Sequence, residues 1–482
     1  MKIKLVLYVI GLLQVFVGLT MLLPVACAVY YAEPALRALL WSMAITVGSG
    51  LALALFTRQE TDIRVREGFA IVTFGWVVTA AFGSLPFLLT GSITSFTDAY
   101  FETLSGFTTT GASILSDVEA LPRSVLLWRS LTHWLGGMGI IVLSIAILPF
   151  LGVGGMQLFK AEVPGPTPDR LKPRISQTAG LLWAVYLLLT VLEIFFLTAG
   201  GMDLFDSTNH AFATLATGGF STKNLSVGHF ESAYIQYVIV FFMFMAGVNF
   251  SLHYRCLTGL KPVVYFRDRE WVFYLLIIFC GTLLIFLQNW AAGAGFSELN
   301  FRQCLFQVVS IVTTTGFATT DFDAWAPFSR IMLLSLMFVG GCAGSTGGGM
   351  KVIRLLLILK HGRSELRKLL HPRAVMMVKV SRIRVRPEVM LNVLSFFTLY
   401  IALFIFASFF MTALGLDLVS ATSSVAATLG NIGPGLGQVG PMLNYSTVPV
   451  TGKWLLSFCM LLGRLEIFTV IILFLPEAWR KF

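Results

Sequence analysis

Charged residues are scarce in this sequence, and their scarcity excludes an ordinary soluble protein. Only 12% of the 482 residues are Asp, Glu, Lys or Arg, whereas soluble domains carry about a quarter. So few charges cannot cover the surface of a soluble chain of this size, and 56% of the residues are hydrophobic. They form long runs such as Phe273–Leu287 and Ser395–Phe410. Because apolar helices of about 20 residues cross a bilayer, we expect a polytopic membrane protein.

Signals of metal or nucleotide chemistry are also missing. The six cysteines are scattered without CxxC spacing, which predicts reduced, structural thiols: Cys27, Cys256, Cys280, Cys304, Cys342 and Cys459. No metal cluster or catalytic triad is visible. Gly344–Lys351 is similar to a phosphate-binding loop, but Met350 precedes the lysine, no Ser or Thr follows it, and the stretch lies in an apolar span. We therefore expect no enzyme and no nucleotide site in this chain.

The apolar runs predict an all-α protein with about ten transmembrane helices. The predicted spans are 5–30, 36–56, 68–90, 125–150, 177–200, 233–258, 271–292, 329–359, 391–415 and 452–475. The first resembles a signal peptide, but its length and the adjacent second span favour a retained helix. An even number of spans places both termini on one side of the membrane.

Basic residues are concentrated on one predicted side. The formal net charge is +10, and in a membrane protein such an excess indicates cytoplasmic loops rather than nucleic-acid binding. The segment 360–388 is strongly basic, whereas the opposite loops are acidic or neutral. We therefore expect both termini in the cytoplasm. The basic segment is either a topology signal, a contact for lipid headgroups or a docking site for a partner.

One pattern recurs four times after the first two spans: a span, a short helix, a Thr/Gly-rich break and another span. The breaks contain Gly111, Gly219, Gly316 and Gly433, which are 108, 97 and 117 residues apart. The short helices are too short to cross a bilayer and are predicted at Asp98–Phe107, Asp206–Leu215, Phe301–Val312 and Val419–Leu429. We interpret them as re-entrant pore helices around one pseudo-fourfold pore.

The breaks have the residue types of a cation filter. A ring of backbone carbonyls replaces the water that a cation loses, glycine tolerates the required backbone angles, and each pore helix directs its negative end toward the cation. The sequence predicts the following cation-binding residues: Thr108, Thr109, Thr110, Gly111, Ala216, Thr217, Gly218, Gly219, Thr313, Thr314, Thr315, Gly316, Asn431, Ile432 and Gly433.

Two features below the predicted filters are candidate gates. So much glycine would break a helix, which predicts a flexible loop in the eighth span rather than close helix packing, with gate residues Gly340, Gly341, Gly344, Ser345, Thr346, Gly347, Gly348 and Gly349. Arg464 lies inside the last span, where a charge is costly and indicates function. We expect Arg464 to face the pore and repel cations; the alternative is a structural ion pair.

These motifs resemble the TrkH/TrkG potassium-uptake proteins of the Trk/Ktr/HKT superfamily over nearly the whole chain. The resemblance also rests on Trp134–Gly139, Gly340–Lys351, Gly463–Phe468, Pro164–Pro166 and His371–Ala374. It implies a gated potassium-uptake channel in the bacterial inner membrane, a homodimer, and a cytoplasmic TrkA-type nucleotide-binding partner. Family members with Ser at the first filter glycine favour sodium, so Gly111 points to potassium.

The repeat pattern also predicts the division of the chain. Two additional N-terminal helices precede four pore repeats, and a basic cytoplasmic segment separates the third repeat from the fourth: 1–60, 61–160, 161–262, 263–362, 363–389 and 390–482. The alternative function is a secondary transporter that couples potassium entry to protons or sodium. Such proteins carry acids near the midplane, and the main acid identified inside a span is Glu466.

Overall fold

The computed structural model describes residues 1–58, 65–146, 175–372, 377–380 and 383–479. The described chain is almost entirely helical, and its six cysteines are free thiols. Its only strands in that part are β1 (Lys379–Val380) and β2 (Ile383–Arg384), which form an antiparallel hairpin. The fold is therefore the all-α architecture that the sequence predicts, with a small hairpin in the basic segment.

Two spans precede the repeats and comprise three helical segments: α1 (Ile3–Thr20) and α2 (Leu22–Tyr30) in the first, and α3 (Leu36–Thr57) in the second. Helices α1 and α3 approach closely at Gly11 and Gly50. A Cβ added at Gly11 would lie 2.8 Å from the Gly50 carbonyl oxygen, and one at Gly50 would lie 2.7 Å from the Gly11 oxygen. Small residues allow such close packing of membrane helices.

The remaining helices follow the predicted order of span, short helix and span. The first two repeats contain α4 (Val65–Gly83), α5 (Leu85–Leu89), α6 (Phe96–Phe107), α7 (Arg123–Ala146), α8 (Ile175–Ala199), α9 (Leu204–Leu215), α10 (Ala233–Ala246) and α11 (Phe250–Gly259). The last two contain α12 (Val263–Arg267), α13 (Arg269–Asn289), α14 (Glu298–Val312), α15 (Pro327–Leu336), α16 (Val352–Leu370), α17 (Pro387–Ala413), α18 (Leu418–Leu429), α19 (Val450–Arg464) and α20 (Phe468–Ile471).

Six continuous spans in the described residues are long and apolar enough to cross a membrane: Ile3–Tyr30, Leu36–Thr57, Arg66–Leu89, Ala179–Ala199, Arg269–Ala294 and Pro387–Ala413. Two bent pairs, each counted as one span, raise the number to eight: α10 with α11 at 100°, and α19 with Phe468–Phe474 at 111°. The fourth predicted span begins as α7, and its end lies outside the described residues.

The eighth predicted span is interrupted in the way that its glycines predict. Helix α15 ends at Leu336 and α16 begins at Val352, and the residues between them are non-helical. This intramembrane loop, 337–351, contains every candidate gate residue except Arg464. The prediction of one continuous helix over 329–359 is therefore wrong, and the predicted break at its glycines is confirmed.

The four predicted pore helices are α6, α9, α14 and α18. Each ends at its predicted residue and begins one to three residues earlier than predicted. Asp203, Ser297 and Asp417 accept hydrogen bonds from backbone N–H groups in the first turns of the last three. Such side chains satisfy the free donors of a helix start, which explains why these short segments begin where they do.

Candidate functional site

The four glycine breaks share one backbone conformation. In each repeat the second residue before the filter glycine has a left-handed φ: Thr109 (51°), Thr217 (55°), Thr314 (61°) and Asn431 (54°). The glycines also have positive φ: Gly111 (79°), Gly219 (79°), Gly316 (82°) and Gly433 (99°). A left-handed β-branched residue is a strained outlier. Its recurrence at three threonines indicates a conformation that the surrounding structure imposes.

The pore-helix ends impose that conformation through the same hydrogen bond in each repeat. The residue before the filter glycine donates its N–H to a carbonyl five residues back, at an N···O distance of 2.8 Å: Thr110 to Ser105, Gly218 to Ala213, Thr315 to Ser310 and Ile432 to Ala427. Such bonds close helices that end in a left-handed residue. Each break therefore leaves its pore helix in the same direction.

The four breaks contact one another in a closed ring. A Cβ added to each glycine would collide with a carbonyl oxygen of the next repeat, that of the residue directly before its filter glycine. The distances from the added Cβ to that oxygen are 2.0 Å from Gly111 to Gly218, 2.1 Å from Gly219 to Thr315, 1.8 Å from Gly316 to Ile432, and 2.6 Å from Gly433 to Thr110. The contacts run from repeat 1 through 2, 3 and 4 and back to 1. The breaks thus surround one axis in chain order, and their close approach requires glycine.

Side chains behind the ring differ between repeats. In the first, the Thr108 and Thr110 hydroxyls are hydrogen-bonded at 2.8 Å, and Thr313 and Thr315 form the same pair in the third. The second has Ala216 and Gly218 at those positions, and the fourth has Gly430 and Ile432. All fifteen predicted filter residues thus lie in or directly behind the ring, which is only pseudo-symmetric.

In the fourth break a different set of bonds replaces the threonine pair. Asn431 Nδ2 donates to Thr110 Oγ1 at 3.0 Å and to the Met460 carbonyl at 2.9 Å. The Tyr445 hydroxyl donates to the Gly433 carbonyl at 2.7 Å. The fourth break is therefore tied both to the first break and to α19.

Helix α7 supports the second break from behind, which the sequence analysis missed. Arg129 contacts Glu102 at 2.6 Å and donates to the Ser221 carbonyl at 2.8 Å. His133, one turn further along α7, stacks on Phe220 with ring centroids 4.0 Å apart. Both side chains are buried. Their signal in the sequence is the spacing of four residues, because two polar residues on one face of a span indicate the bundle interior.

The intramembrane loop packs directly against the breaks. Gly348 N–H donates to Thr314 Oγ1 at 2.7 Å, and the Thr346 hydroxyl donates to the Leu215 carbonyl at 2.9 Å, at the end of the second pore helix. A Cβ at Gly348 would lie 2.8 Å from Asn431 Oδ1. The loop therefore contacts three of the four breaks or their pore helices, and its glycine at 348 allows that approach.

Residues inside and just after the loop are held by α13 of the same repeat and by the preceding repeat. Glu270, in the first turn of α13, accepts hydrogen bonds from the N–H groups of Ala343 at 2.7 Å and Ile353 at 3.2 Å. Cys342 N–H donates to the Gly247 carbonyl at 2.8 Å, in the bend between α10 and α11. These bonds attach the loop to α13 and to the bend between α10 and α11.

Arg464 joins the loop to α7. Its Nη1 donates to the Thr346 carbonyl at 2.7 Å and its Nη2 to the Gly136 carbonyl at 3.0 Å. Glu466, two residues along the chain, pairs with Arg354 at 2.7 Å. The Arg464 guanidinium thus binds backbone carbonyls, one in the candidate gate loop and one in α7.

One further acid within a span was overlooked in the sequence. Glu193 lies in α8 and is fully buried, and neither carboxylate oxygen has a hydrogen-bond partner in the part of the chain that the structure describes. Thr214 of the second pore helix is close to it, but the Thr214 hydroxyl donates to the His210 carbonyl. The signal was plain, a single acid in an otherwise apolar run.

Comparisons with known proteins agree with this architecture. A family model described as TrkH, a cation transport protein, matches residues 37–481. The Trk system potassium uptake protein TrkH of Halomonas elongata is 43% identical, with both chains fully covered, and that of Escherichia coli is 44% identical over 98% of each chain. The crystal structure of the potassium transporter TrkH from Vibrio parahaemolyticus superposes with a TM-score of 0.92 at 40% identity, covering both chains completely. This chain therefore belongs to the TrkH family of cation transport proteins.

Proposed function

We propose that this chain is the membrane subunit of a potassium-uptake system and passes K⁺ through one gated pore. The observation that carries the proposal is the closed ring of four breaks, in which each glycine meets the carbonyl group of the next repeat. Relatives named potassium uptake proteins, matched along the whole chain, support the choice of ion. Uptake is driven by the inside-negative potential, at about 2.3 kcal/mol per charge per 100 mV.

The proposed ion ligands are the backbone carbonyls of the four breaks. Four equivalent carbonyls around an axis replace the hydration shell of a cation. The C-terminal ends of four pore helices meet at the ring, and each contributes partial negative charge. The ligand set proposed for K⁺ comprises the fifteen residues predicted from the sequence, with the glycines setting the backbone angles. The ion is the cargo, and the chain carries no nucleotide site in this proposal.

The intramembrane loop and Arg464 form the proposed gate. The loop lies against the second, third and fourth breaks or their helices, so it occupies the exit on one side of the ring. Arg464 stabilises that position by donating to the Thr346 carbonyl. Opening requires the loop to leave these partners. A cytoplasmic TrkA-type subunit is the proposed partner that drives this change, in a homodimeric assembly that contacts membrane lipid.

Orientation and domain division follow as parts of the same proposal. The chain lies in the inner membrane of a bacterium with both termini in the cytoplasm, because the basic segment 363–389 would otherwise be translocated. The repeats occupy 61–160, 161–262, 263–362 and 390–482, after two additional helices in 1–60. The order of the helices and the positions of the four pore-helix ends support this division.

Ion flux into liposomes tests the function directly. We expect the purified wild type to carry K⁺ faster than Na⁺ without an imposed proton or sodium gradient. Gly316→Ser should remove that preference, because its Cβ would lie 1.8 Å from the Ile432 carbonyl oxygen. The matched control is Gly48→Ser in α3, where an added Cβ meets no atom within 4 Å. If the wild type alone is silent, the measurement is repeated with the cytoplasmic partner.

Coupled transport is the second candidate, and Glu193 is the observation that favours it. A buried acid inside a span is a candidate proton or sodium site, and Glu193 lies beside the second pore helix. Under this alternative, wild-type K⁺ entry requires a proton or sodium gradient and Glu193→Gln abolishes it. Downhill flux that persists in Glu193→Gln would exclude coupling through this residue.

A further inference from the structure

Gly218 occupies the position of a threonine in the first and third breaks. Thr110 and Thr315 stand directly before the filter glycine, and each hydroxyl bonds to a second threonine behind the ring. At Gly218 no threonine pair exists, because Ala216 replaces the second member. Gly218 does not have a left-handed φ. Its backbone angles therefore do not explain the glycine, and the cause must be its surroundings.

The imidazole ring of His133 fills the space where a side chain would stand. A Cβ added at Gly218 would lie 2.3 Å from His133 Nδ1, 2.5 Å from Cγ and 2.6 Å from Cε1. These distances leave no room for any side chain while the ring is present. The ring reaches this place from α7, the last helix of the preceding repeat.

Two contacts hold the imidazole ring in that place, and a third fixes the phenyl ring of Phe220 on which it stacks. The imidazole stacks on Phe220 with an interplanar angle of 15°, and Phe220 N–H points at Nδ1 at an N···N distance of 3.5 Å. The Arg129 guanidinium lies over the same phenyl ring, 3.6 Å from its centroid. Arg129 is itself fixed by Glu102 at 2.6 Å. His133 is fully buried and is thus a rigid wall behind Gly218.

The His133 imidazole lies behind a residue whose carbonyl group belongs to the closed ring of four breaks. The Gly218 carbonyl oxygen is the atom that faces Gly111 of the first break, 2.0 Å from an added Cβ there. A glycine without support has the widest conformational freedom of any residue. The position of this carbonyl is therefore set from in front by Gly111 and from behind by His133.

We propose that His133 is a positioning residue for ion selectivity, taking the place of the missing threonine pair in the second break. The proposal rests on the proposed potassium pore and deepens it. His133 touches no ion; it fixes the position of the Gly218 carbonyl, as the threonine pairs do in the first and third breaks. The shape of the imidazole ring, rather than its charge, performs this positioning.

A cycle of three variants tests this role in the full-length protein. His133→Ala removes the wall, and we expect the K⁺/Na⁺ flux ratio to fall about tenfold, or about 1.4 kcal/mol between the two ions. Gly218→Thr collides with the ring, and we expect a loss of flux or of folded protein. The double variant His133→Ala/Gly218→Thr removes the collision and supplies the side chain of the first and third breaks. It should regain folded yield and most of the selectivity.

Two further variants separate positioning from general stability and from charge. His133→Phe keeps a flat ring without a titratable nitrogen, so its selectivity should remain near wild type and independent of pH between about 5 and 8, the range in which histidine titrates. His253→Ala removes another buried histidine, which bonds to the Met245 carbonyl and Tyr265 outside the ring. It should leave the flux ratio unchanged.

Equilibrium ion binding keeps this test separate from the proposed function. Thermal unfolding of each purified variant is recorded in K⁺, Rb⁺ and Na⁺, which gives the ion preference without flux. Wild-type K⁺ stabilisation that is lost in His133→Ala and regained in the double variant supports the role of His133 even if downhill flux fails. An unchanged ion preference in His133→Ala, or no gain in the double variant over Gly218→Thr, would overturn it.

Discussion

The first and third breaks are built on threonine, and the second and fourth are not, yet their backbones are alike. All four carry the left-handed residue, the positive-φ glycine and the 2.8 Å bond to the pore helix. The side chains behind them are a threonine pair, a histidine from another repeat, or an asparagine bonded across the ring. The end of the pore helix and the glycine therefore determine the backbone conformation of each filter. The residues behind it are exchangeable supports.

The largest expected effect distinguishes two of the ring glycines. In Gly111→Ala the added Cβ lies 2.0 Å from the Gly218 carbonyl oxygen, whereas in Gly433→Ala it lies 2.6 Å from that of Thr110. Both substitutions cost about 1–2 kcal/mol for a left-handed alanine and both bring the Cβ against backbone, but the overlap is deeper in Gly111→Ala. We expect Gly111→Ala to lower K⁺ flux at least about tenfold, or about 1.4 kcal/mol in barrier, and Gly433→Ala to lower it less.

Liposome flux measured side by side checks this order, with folded yield as the control. Equal losses in the two variants would mean that left-handed strain alone sets the effect and that the ring contacts are unimportant. A larger loss in Gly433→Ala would contradict the ring as the structure has it.

Much of this architecture was predictable from the sequence because it depends on local patterns. Apolar runs of membrane length predicted the spans approximately, with the eighth broken rather than continuous, and the four glycines located the ends of the pore helices to the residue. The spacing of Arg129 and His133 indicates the bundle interior, but the pattern could not reveal the role of His133, because its partner Gly218 is 85 residues away and only the fold brings them together. Arg464 could be singled out because a charge inside a membrane span is energetically costly. Its carbonyl partners could not be predicted, because they lie on two other segments of the chain.

An intermediate effect separates the two threonine breaks from each other. The Thr110 hydroxyl bonds to Thr108 and also accepts from Asn431, whereas for Thr315 the structure records the corresponding bond to Thr313. Thr110→Val should therefore reduce the free energy of unfolding by about 1 kcal/mol more than Thr315→Val, the typical net value of one hydrogen bond. Thermal unfolding in detergent measures the difference.

Asn431→Ala provides the control for that prediction. If the Asn431 bond causes the difference, Thr110→Val should cost less in the Asn431→Ala background than in the wild type, while the cost of Thr315→Val stays unchanged. A difference between the two threonine variants that persists in this background would assign it to packing instead.

The smallest expected effect concerns how the pore helices begin. Asp417 accepts hydrogen bonds from the N–H groups of Val419 and Ser420 at 3.1 Å, whereas Ser95 begins the first pore helix without a side-chain bond. Asp417→Ala should cost about 1 kcal/mol of stability, and Ser95→Ala close to nothing. The hydrogen bond with Ser420 lowers the pKa of Asp417, so the charged cap contributes above the usual carboxyl range and is lost as the pH falls through the lowered value. The gap between the two variants should therefore be present at neutral pH and close in acid. Equal effects of the two variants at neutral pH would mean that capping does not hold the pore helices. Their burial against the ring of four breaks would then hold them, and that ring alone would cause the similarity of the four filters.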